Sequence, residues 1–267
     1  MYSKFEKLKI YIKSLKSVAV AYSGGVDSTF LLKVCSMILG NNCIAITAKS
    51  PLIPDYEIQE ATEFCKIENI RQIIFEYNPL KMENFVSNPK NRCYICKSEF
   101  MKRVLEISKE NNIQNVFEGS NFDDLKDFRP GFKAVQELNI LSPLCDFGFT
   151  KAEIRALSKE LKLKTHSKPA LACLATRIPY KDKITKEKLK TIEHAEKILF
   201  NSGFNQVRVR LHKDIARIEI AQAEFDKIIE KNIRDTIISE FKKLGFKYIA
   251  LDLAGYRTGS MNEIINN

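Results

Sequence analysis

The sequence predicts an α/β protein: a parallel sheet with helices on both faces, followed by a smaller α+β unit. Three observations carry this. Up to about residue 185, short apolar runs of strand length alternate with amphipathic segments, the order that produces parallel crossovers. The first run, Val18 to Ala21, passes directly into a glycine turn and then a helix. Beyond residue 185 the alternation stops, and "QVRVRLHKDIARIEI" reads as two strands around a tight turn at His212–Asp214. Domains are therefore expected at 1–183 and 184–267.

The elements follow in order. Residues 4–16 read as a short helix. "SVAVAYSGG" gives a buried strand and a glycine-rich turn, and "DSTFLLKVCSMIL" a helix by its apolar spacing. "NCIAITAKS" is a second strand, "PDYEIQEATEFCKIEN" a helix with Pro54 near its start, and "IRQIIFEY" a third strand. A helix lies within "CYICKSEFMKRVLEISKENN", and "IQNVFEGS" is a fourth strand. "TKAEIRALSKELKL" is a helix that Thr150 caps, with Glu153 three residues on. In the second unit, "KEKLKTIEHAEKILFNSG" is a helix ending at Gly203, residues 222–243 read as one long helix, and "FKYIALDLAG" is a last strand.

Composition narrows the function classes. The chain has 267 residues, is 45% hydrophobic and carries a formal charge of +10, which favours anionic partners such as nucleotides, phosphorylated metabolites or RNA. No signal-peptide core and no apolar run of membrane-spanning length are evident. The seven cysteines are an odd number without a secretory signal, so free thiols in a reducing cytoplasm are expected. Cys35, Cys43 and Cys65 sit in apolar patterns and read as packing residues.

The segment Ala21 to Leu32, "AYSGGVDSTFLL", carries the strongest local chemistry. Glycines between a buried strand and a helix let backbone N–H groups converge on an anion at the helix N-terminus. Ser23 and Ser28 add hydroxyls, Gly24, Gly25 and Val26 the backbone. Asp27 would repel a phosphate unless Mg²⁺ stood between them, which marks a metal–phosphate site. The segment lacks the endings of a Walker A loop and of a dinucleotide fold. It resembles the pyrophosphate loop of the N-type ATP pyrophosphatases, which implies an adenine nucleotide alpha hydrolase-like fold and cleavage of ATP to AMP and pyrophosphate.

Two middle motifs stay open. "NPKNRCYICKSEF" holds Cys93 and Cys96, and their residue types allow a structural or substrate-wall role, iron–sulfur ligation with a distant cysteine, or redox exchange. "FEGSNFDDLKDFRPGFKAVQE" ends a strand and brings Asp123, Asp124, Asp127 and Arg129 to the side where parallel sheets bind ligands. The acids can support Mg²⁺ or simply cap helices, and Arg129 can hold an anion.

"KPALACLATRIPYKDKIT" places Cys173 among small apolar residues, so by its own chemistry it is either a buried filler or a reactive thiol. The loop, "NRCYICK", "EGSNFDDLKDFRPG", "LSPLCDFGFTKAEIRALSKELKL", "KPALACLATRIPY" and "LDLAGYRTGSMNE" occur in order and together resemble the LarE family, the ATP-dependent sulfur transferases of nickel-pincer cofactor synthesis. The resemblance spans essentially the whole chain. It implies adenylation of the carboxylates of pyridinium-3,5-biscarboxylic acid mononucleotide and their conversion to thiocarboxylates. It makes Cys173 the sulfur donor, left as dehydroalanine. Arg177 beside it favours the thiolate. Arg177, Arg208, Arg210 and Arg257 become substrate- or phosphate-binding arginines, and Glu196, Glu219 and Asp226 acids of a metal site. His166 and His194 are candidates by type for the base that elimination needs. It further implies ATP, Mg²⁺, a homo-oligomer of hexameric form and a downstream nickel-insertion protein. Two other readings remain: a [4Fe–4S] cluster on Cys93, Cys96 and Cys173 that delivers external sulfide, and tRNA thiolation, which would call for an extended basic face. The C-terminal unit is too small and too acidic around Glu219–Glu230 to suggest a dedicated RNA module. Nucleic acid is therefore not the expected partner.

Overall fold

The computed structural model describes residues 1–126, 130–169 and 172–257. They group into two compact units, Met1–Asn78 with Asn91–Leu171, and Pro79–Lys90 with Ala172–Asn267.

The first unit holds four parallel strands: β1 (Val18–Ala21), β2 (Cys43–Lys49), β3 (Arg71–Glu76) and β4 (Asn115–Phe117), in the order β3-β2-β1-β4. Its longer helices are α1 (Tyr2–Ser14), α2 (Val26–Leu39), α3 (Asp55–Ile67), α4 (Arg92–Glu110), α5 (Pro130–Glu137) and α6 (Lys151–Glu160). Alternate residues of β1, β2 and β4 feed two separate cores, as the period of two requires. Val18, Val20, Cys43, Ala45 and Phe117 pack with Leu8 and Ile12 of α1, Phe30 and Leu31 of α2 and Ile154 of α6. Ala19, Ala21, Ile44, Ile46 and Val116 pack on the other face with Met101, Val104 and Ile107 of α4 and Val135 of α5. Fully burying one such aliphatic side chain is worth roughly 1.5–3 kcal/mol, and a sheet covered on both faces collects that gain twice. Cys35, Cys43 and Cys65 lie in the first of these cores. Burial pushes the Cys65 thiol up to about 12, so it behaves as a packing group.

The expected cap of α6 is present. Thr150 Oγ1 accepts from the Glu153 N–H at 3.3 Å, and Glu153 Oε2 accepts from the Thr150 N–H at 2.9 Å.

The strand order has one functional consequence. The chain runs from β1 outward through β2 to β3, then returns to place β4 on the opposite side of β1. In an open parallel sheet the crevice at such a reversal, at the carboxyl ends of the strands, receives ligands. Here those ends are the Ser23–Gly25 turn after β1 and Glu118–Ser120 after β4.

The second unit contains α7 (Lys186–Asn201), the hairpin of β5 (Val207–His212) and β6 (Ile215–Ile220), then α8 (Phe225–Ile229), α9 (Lys231–Lys243) and β7 (Tyr248–Leu251). β5 and β6 are antiparallel and β7 joins β6 in parallel. Gly203 follows α7 with a φ of 84°, which suits the residue expected to end that helix. Residues 79–90 belong to this unit because buried Asn88 ties them down. Its Nδ2 donates to the carbonyls of Pro179 at 2.7 Å and Asp182 at 2.9 Å, and its own carbonyl accepts from Lys181 N at 3.0 Å. The compact units thus change over at 171–172, ahead of the division expected at 183–184.

The single long helix expected over 222–243 is corrected to two helices with an extended break at Glu230 (φ −54°, ψ 132°). Ile228 is buried on α8, and Ile237 and Phe241 on α9. At about 100° per residue, positions 228 and 237 would face opposite sides of an unbroken helix. The break lets both be buried.

Candidate functional site

In the first unit the Ser23–Ser28 loop is wound tightly around its own hydroxyls. Ser23 Oγ and Ser28 Oγ are 3.0 Å apart, Ser28 Oγ accepts from Ser23 N at 3.3 Å, and Gly25 N donates to Ser23 Oγ at 3.4 Å. Gly24 has a φ of 73°, and a Cβ there would also stand 3.2 Å from the Ala61 Cβ of α3, so glycine is required twice over. Gly119 at the end of β4 is as constrained, since its Cβ would meet Ser28 N at 3.0 Å. The two carboxyl-terminal turns are therefore in contact, and the start of α2 opens toward them with its backbone dipole. Val26 is buried in the core beneath the loop.

Charges are grouped around this loop. Lys151 Nζ lies 2.5 Å from Asp27 Oδ2, while Asp27 Oδ1 is buried and has no hydrogen-bond partner among the described residues. Lys168 Nζ contacts Glu57 Oε2 at 2.6 Å, Glu60 Oε2 at 2.7 Å and the Gly24 carbonyl at 3.4 Å. Burial holds the Glu57 carboxyl above its ordinary range, although Lys168 opposes the shift. Buried Glu118 accepts from Ser142 Oγ at 2.6 Å, from Ser120 N and Oγ at 2.9 Å each, and from Lys97 Nζ at 3.2 Å. Burial opposes its charged form, yet Lys97 and these hydrogen bonds hold its carboxyl below the usual range.

Asp123 and Asp124 are half-buried and engaged locally: Asp123 Oδ2 accepts from Lys151 N at 2.9 Å, and Asp124 Oδ2 from Asn121 N at 3.0 Å. Cys93 and Cys96 lie in the first two turns of α4, both half-exposed and not disulfide-bonded. Tyr77 Oη donates to the Cys96 carbonyl at 2.8 Å and lies 3.5 Å from its sulfur. Asp127 and Arg129 lie outside the described residues. His166 is half-buried in the first unit.

The second unit gathers a different centre. Cys173 is a half-exposed free thiol at the head of a one-turn 3₁₀ helix, Leu174–Arg177. Arg177 is buried and bidentate to Glu196, with Nε–Oε1 at 2.8 Å and Nη2–Oε2 at 3.1 Å. Its Nη1 donates to the Ala172 carbonyl at 2.6 Å and to the Cys173 carbonyl at 3.2 Å. Glu196 Oε1 also accepts from Val209 N at 3.0 Å, capping the edge strand β5. On β5, Arg210 is bidentate to Glu219 at 2.9 and 3.0 Å and donates to the Thr176 carbonyl at 2.7 Å. Arg217 adds a contact to Glu219 at 3.0 Å.

Arg208 differs. It is 6% exposed, donates to Tyr256 Oη at 2.7 Å and lies over that ring at 4.9 Å, but pairs with no carboxylate among the described residues. Burial, with Arg177 and Arg210 nearby, lowers its pKa. A buried guanidinium without a counter-ion is a ready anion site.

The acids expected to share a metal are not gathered as a set. Glu196 and Glu219 are engaged with arginines, and Asp226 is exposed on α8. Among the described residues no group of three His, Cys, Asp or Glu side chains is placed to hold a metal ion. Arg257 is exposed and His194 is exposed on α7.

Four residues at these centres are absent from the sequence-based expectations: Lys151, Lys168, Glu118 and Thr176. Lys151 and Lys168 carry no spacing signal. Glu118 has one, as an acid at the end of an apolar strand.

No family model matches the chain. It is 35% identical over 257 residues to the pyridinium-3,5-bisthiocarboxylic acid mononucleotide synthase of Lactiplantibacillus plantarum, covering 95% of this chain and 92% of that one. The chain belongs to the LarE family. An uncharacterized Synechocystis protein is 38% identical over 98% of both chains. One subunit of the glutamine-hydrolysing GMP synthase of Thermoplasma volcanium is 28% identical over 66% of this chain and 61% of that one, in keeping with a pyrophosphate-loop fold in the first unit. As a LarE-family protein the chain is an enzyme of the sulfur-transferring, ATP-using kind. No helix among the described residues is long and apolar enough to cross a membrane.

Proposed function

We propose that this chain adenylates the carboxylates of pyridinium-3,5-biscarboxylic acid mononucleotide with ATP and converts them to thiocarboxylates with the sulfur of Cys173. The observation that carries the reading is the seat of Cys173. A half-exposed free thiol heads the turn whose Arg177 belongs to the same buried cationic centre as the carboxylate-free Arg208.

The chemistry follows from the residues. A carboxylate is a poor electrophile because oxide is a poor leaving group, and transfer to AMP supplies a better one. The N–H groups of the Ser23–Ser28 turn and the start of α2 bind the departing pyrophosphate. The buried, partnerless Asp27 Oδ1 fits Mg²⁺, which would neutralise charge between that carboxylate and the phosphates. Arg208 holds the phosphate of the mononucleotide, with Arg257 as a further contact. Glu196 and Glu219 act as a metal site with Asp226 only if metal replaces the arginine partners of the two glutamates. Cys173 attacks the acyl adenylate to give a thioester. Loss of its α-proton with cleavage of the Cβ–S bond then leaves dehydroalanine on the protein and a thiocarboxylate on the substrate.

Intact-protein mass spectrometry after incubation with substrate, ATP and Mg²⁺ tests this: each turnover lightens the chain by about 34 Da, one H₂S, as a spent nucleophile requires. Cys173→Ala should still release pyrophosphate but transfer no sulfur. Product formed at unchanged mass, with iron and sulfide bound, favours the second reading. That reading rests on Cys93 and Cys96, two half-exposed thiols one helical turn apart and outside any disulfide. In that reading they and Cys173 would be ligands of a [4Fe–4S] cluster that supplies external sulfide, although no such set is gathered among the described residues.

A further inference from the structure

We propose that Thr176 and Arg177 form an oxyanion site for the backbone carbonyl of Cys173 and so assist the step in which this residue gives up its sulfur. The proposal rests on the sacrificial reading above and assigns the groups that act on the protein's own backbone.

Breaking the Cβ–S bond by elimination requires the α-proton of residue 173 to leave. That proton is weakly acidic, and the charge it leaves behind spreads onto the adjoining carbonyl oxygen. Donors aimed at that oxygen lower the barrier, just as donors in an acyl-transfer site serve a tetrahedral oxyanion. Three groups converge on it here. Thr176 Oγ1 donates at 2.8 Å, Thr176 N at 3.0 Å and Arg177 Nη1 at 3.2 Å. The backbone bond alone would close the 3₁₀ turn. The hydroxyl and the guanidinium are additional.

They are also coupled. Arg177 Nη1 donates to Thr176 Oγ1 at 3.1 Å, so the hydroxyl that serves the carbonyl is polarised by a cation. The same Nη1 holds the Ala172 carbonyl at 2.6 Å. One guanidinium thus fixes both peptide groups that flank the Cys173 α-carbon. Its opposite edge is locked on Glu196, and it is buried, where a charge acts more strongly than in water.

The step balances without an oxidant or reductant. Cys173 sulfur bonds the acyl carbon and AMP departs, giving the thioester. A general base of imidazole or carboxylate class takes the α-proton, and the C–H electron pair moves toward the held carbonyl oxygen. That pair returns to form the Cα–Cβ double bond as Cβ–S breaks, and the C–S pair leaves on the thiocarboxylate. The acyl-bound sulfur is a better leaving group than a free thiolate, so elimination follows acylation.

Time-resolved intact-protein mass spectrometry of the full chain with substrate, ATP and Mg²⁺ separates the two steps. Thr176→Val keeps the side-chain shape and removes the hydroxyl. The acylated chain should accumulate, and its conversion to the lighter dehydroalanine form should slow about a hundredfold, the scale for loss of one oxyanion donor. Thr176→Ser should restore conversion. If Thr176→Val eliminates as fast as the wild type, or is slowed in acylation with no adduct building up, the proposal is overturned and the sacrificial reading stands. Wild-type chain that makes product at unchanged mass removes the sacrificial reading and the proposal together.

Discussion

Arg208 and Arg210 are two positions apart on one face of β5, and their surroundings give them different work. In the ladder Glu219 stands opposite Arg208, yet its carboxylate is bidentate to Arg210. Arg210 is thereby neutralised, while Arg208 pairs with no carboxylate among the described residues and in the proposed reading receives the anion. Arg208→Gln should raise the mononucleotide concentration that gives the half-maximal single-turnover rate by about tenfold or more, the cost of one charge-assisted hydrogen bond, and leave the urea midpoint nearly unchanged. Arg210→Met should do the reverse. It strands buried Glu219 and should destabilise by about 3 kcal/mol in urea unfolding, near the low end for a broken buried pair because Arg217 remains. The sequence marked both arginines but did not separate them. The distinction depends on which way one carboxylate turns across a ladder, and no spacing encodes that.

At the scale of elements, the legible features were those whose cause is local. The Val18–Ala21 strand and its glycine turn, the Thr150 cap and the hairpin at 212–214 each need only neighbours within a few residues. The break at Glu230 has no proline or glycine to announce it and follows from two buried positions that one straight helix cannot serve. Attachment of residues 79–90 to the second unit hangs on Asn88, whose partners lie some ninety residues away in sequence. The cap of α6 carries a prediction of its own. Burial raises the Glu153 carboxyl, but the Thr150 N–H and Lys4 outweigh it and hold the group down at about 2. A folded pKa below the unfolded value near 4.3 means the stabilisation is complete above that value and is lost as pH falls through about 2. Glu153→Gln keeps a capping-box partner but loses the charge that meets Lys4, and should cost up to about 1 kcal/mol at neutral pH, the scale of a partly exposed ion pair. The gap to wild type should narrow as urea titrations are repeated from about pH 4 down toward pH 2.

For the whole molecule, the informative quantity is where the charge is spent. The formal excess is +10, yet the basic groups nearest the two candidate centres are largely matched: Lys168 by Glu57 and Glu60, Lys151 by Asp27, Arg177 by Glu196 and Arg210 by Glu219. That pattern suits small ligands bearing a few phosphates, each received at one prepared point, and differs from a surface that tracks a polyanion. The two cases separate under salt. A protein that neutralises six to ten phosphates of a nucleic acid loses roughly 10³–10⁵ in affinity between about 50 and 200 mM salt. In the proposed reading the mononucleotide presents one phosphate to Arg208, so the single-turnover rate of sulfur transfer at subsaturating substrate should fall by less than about tenfold over that range. Single-turnover rates of sulfur transfer at the two salt concentrations, set beside tRNA binding under the same conditions, decide between them. A steep loss of tRNA binding from a tight low-salt complex would restore the thiolation reading, whereas a shallow salt dependence of turnover places the excess charge in general steering.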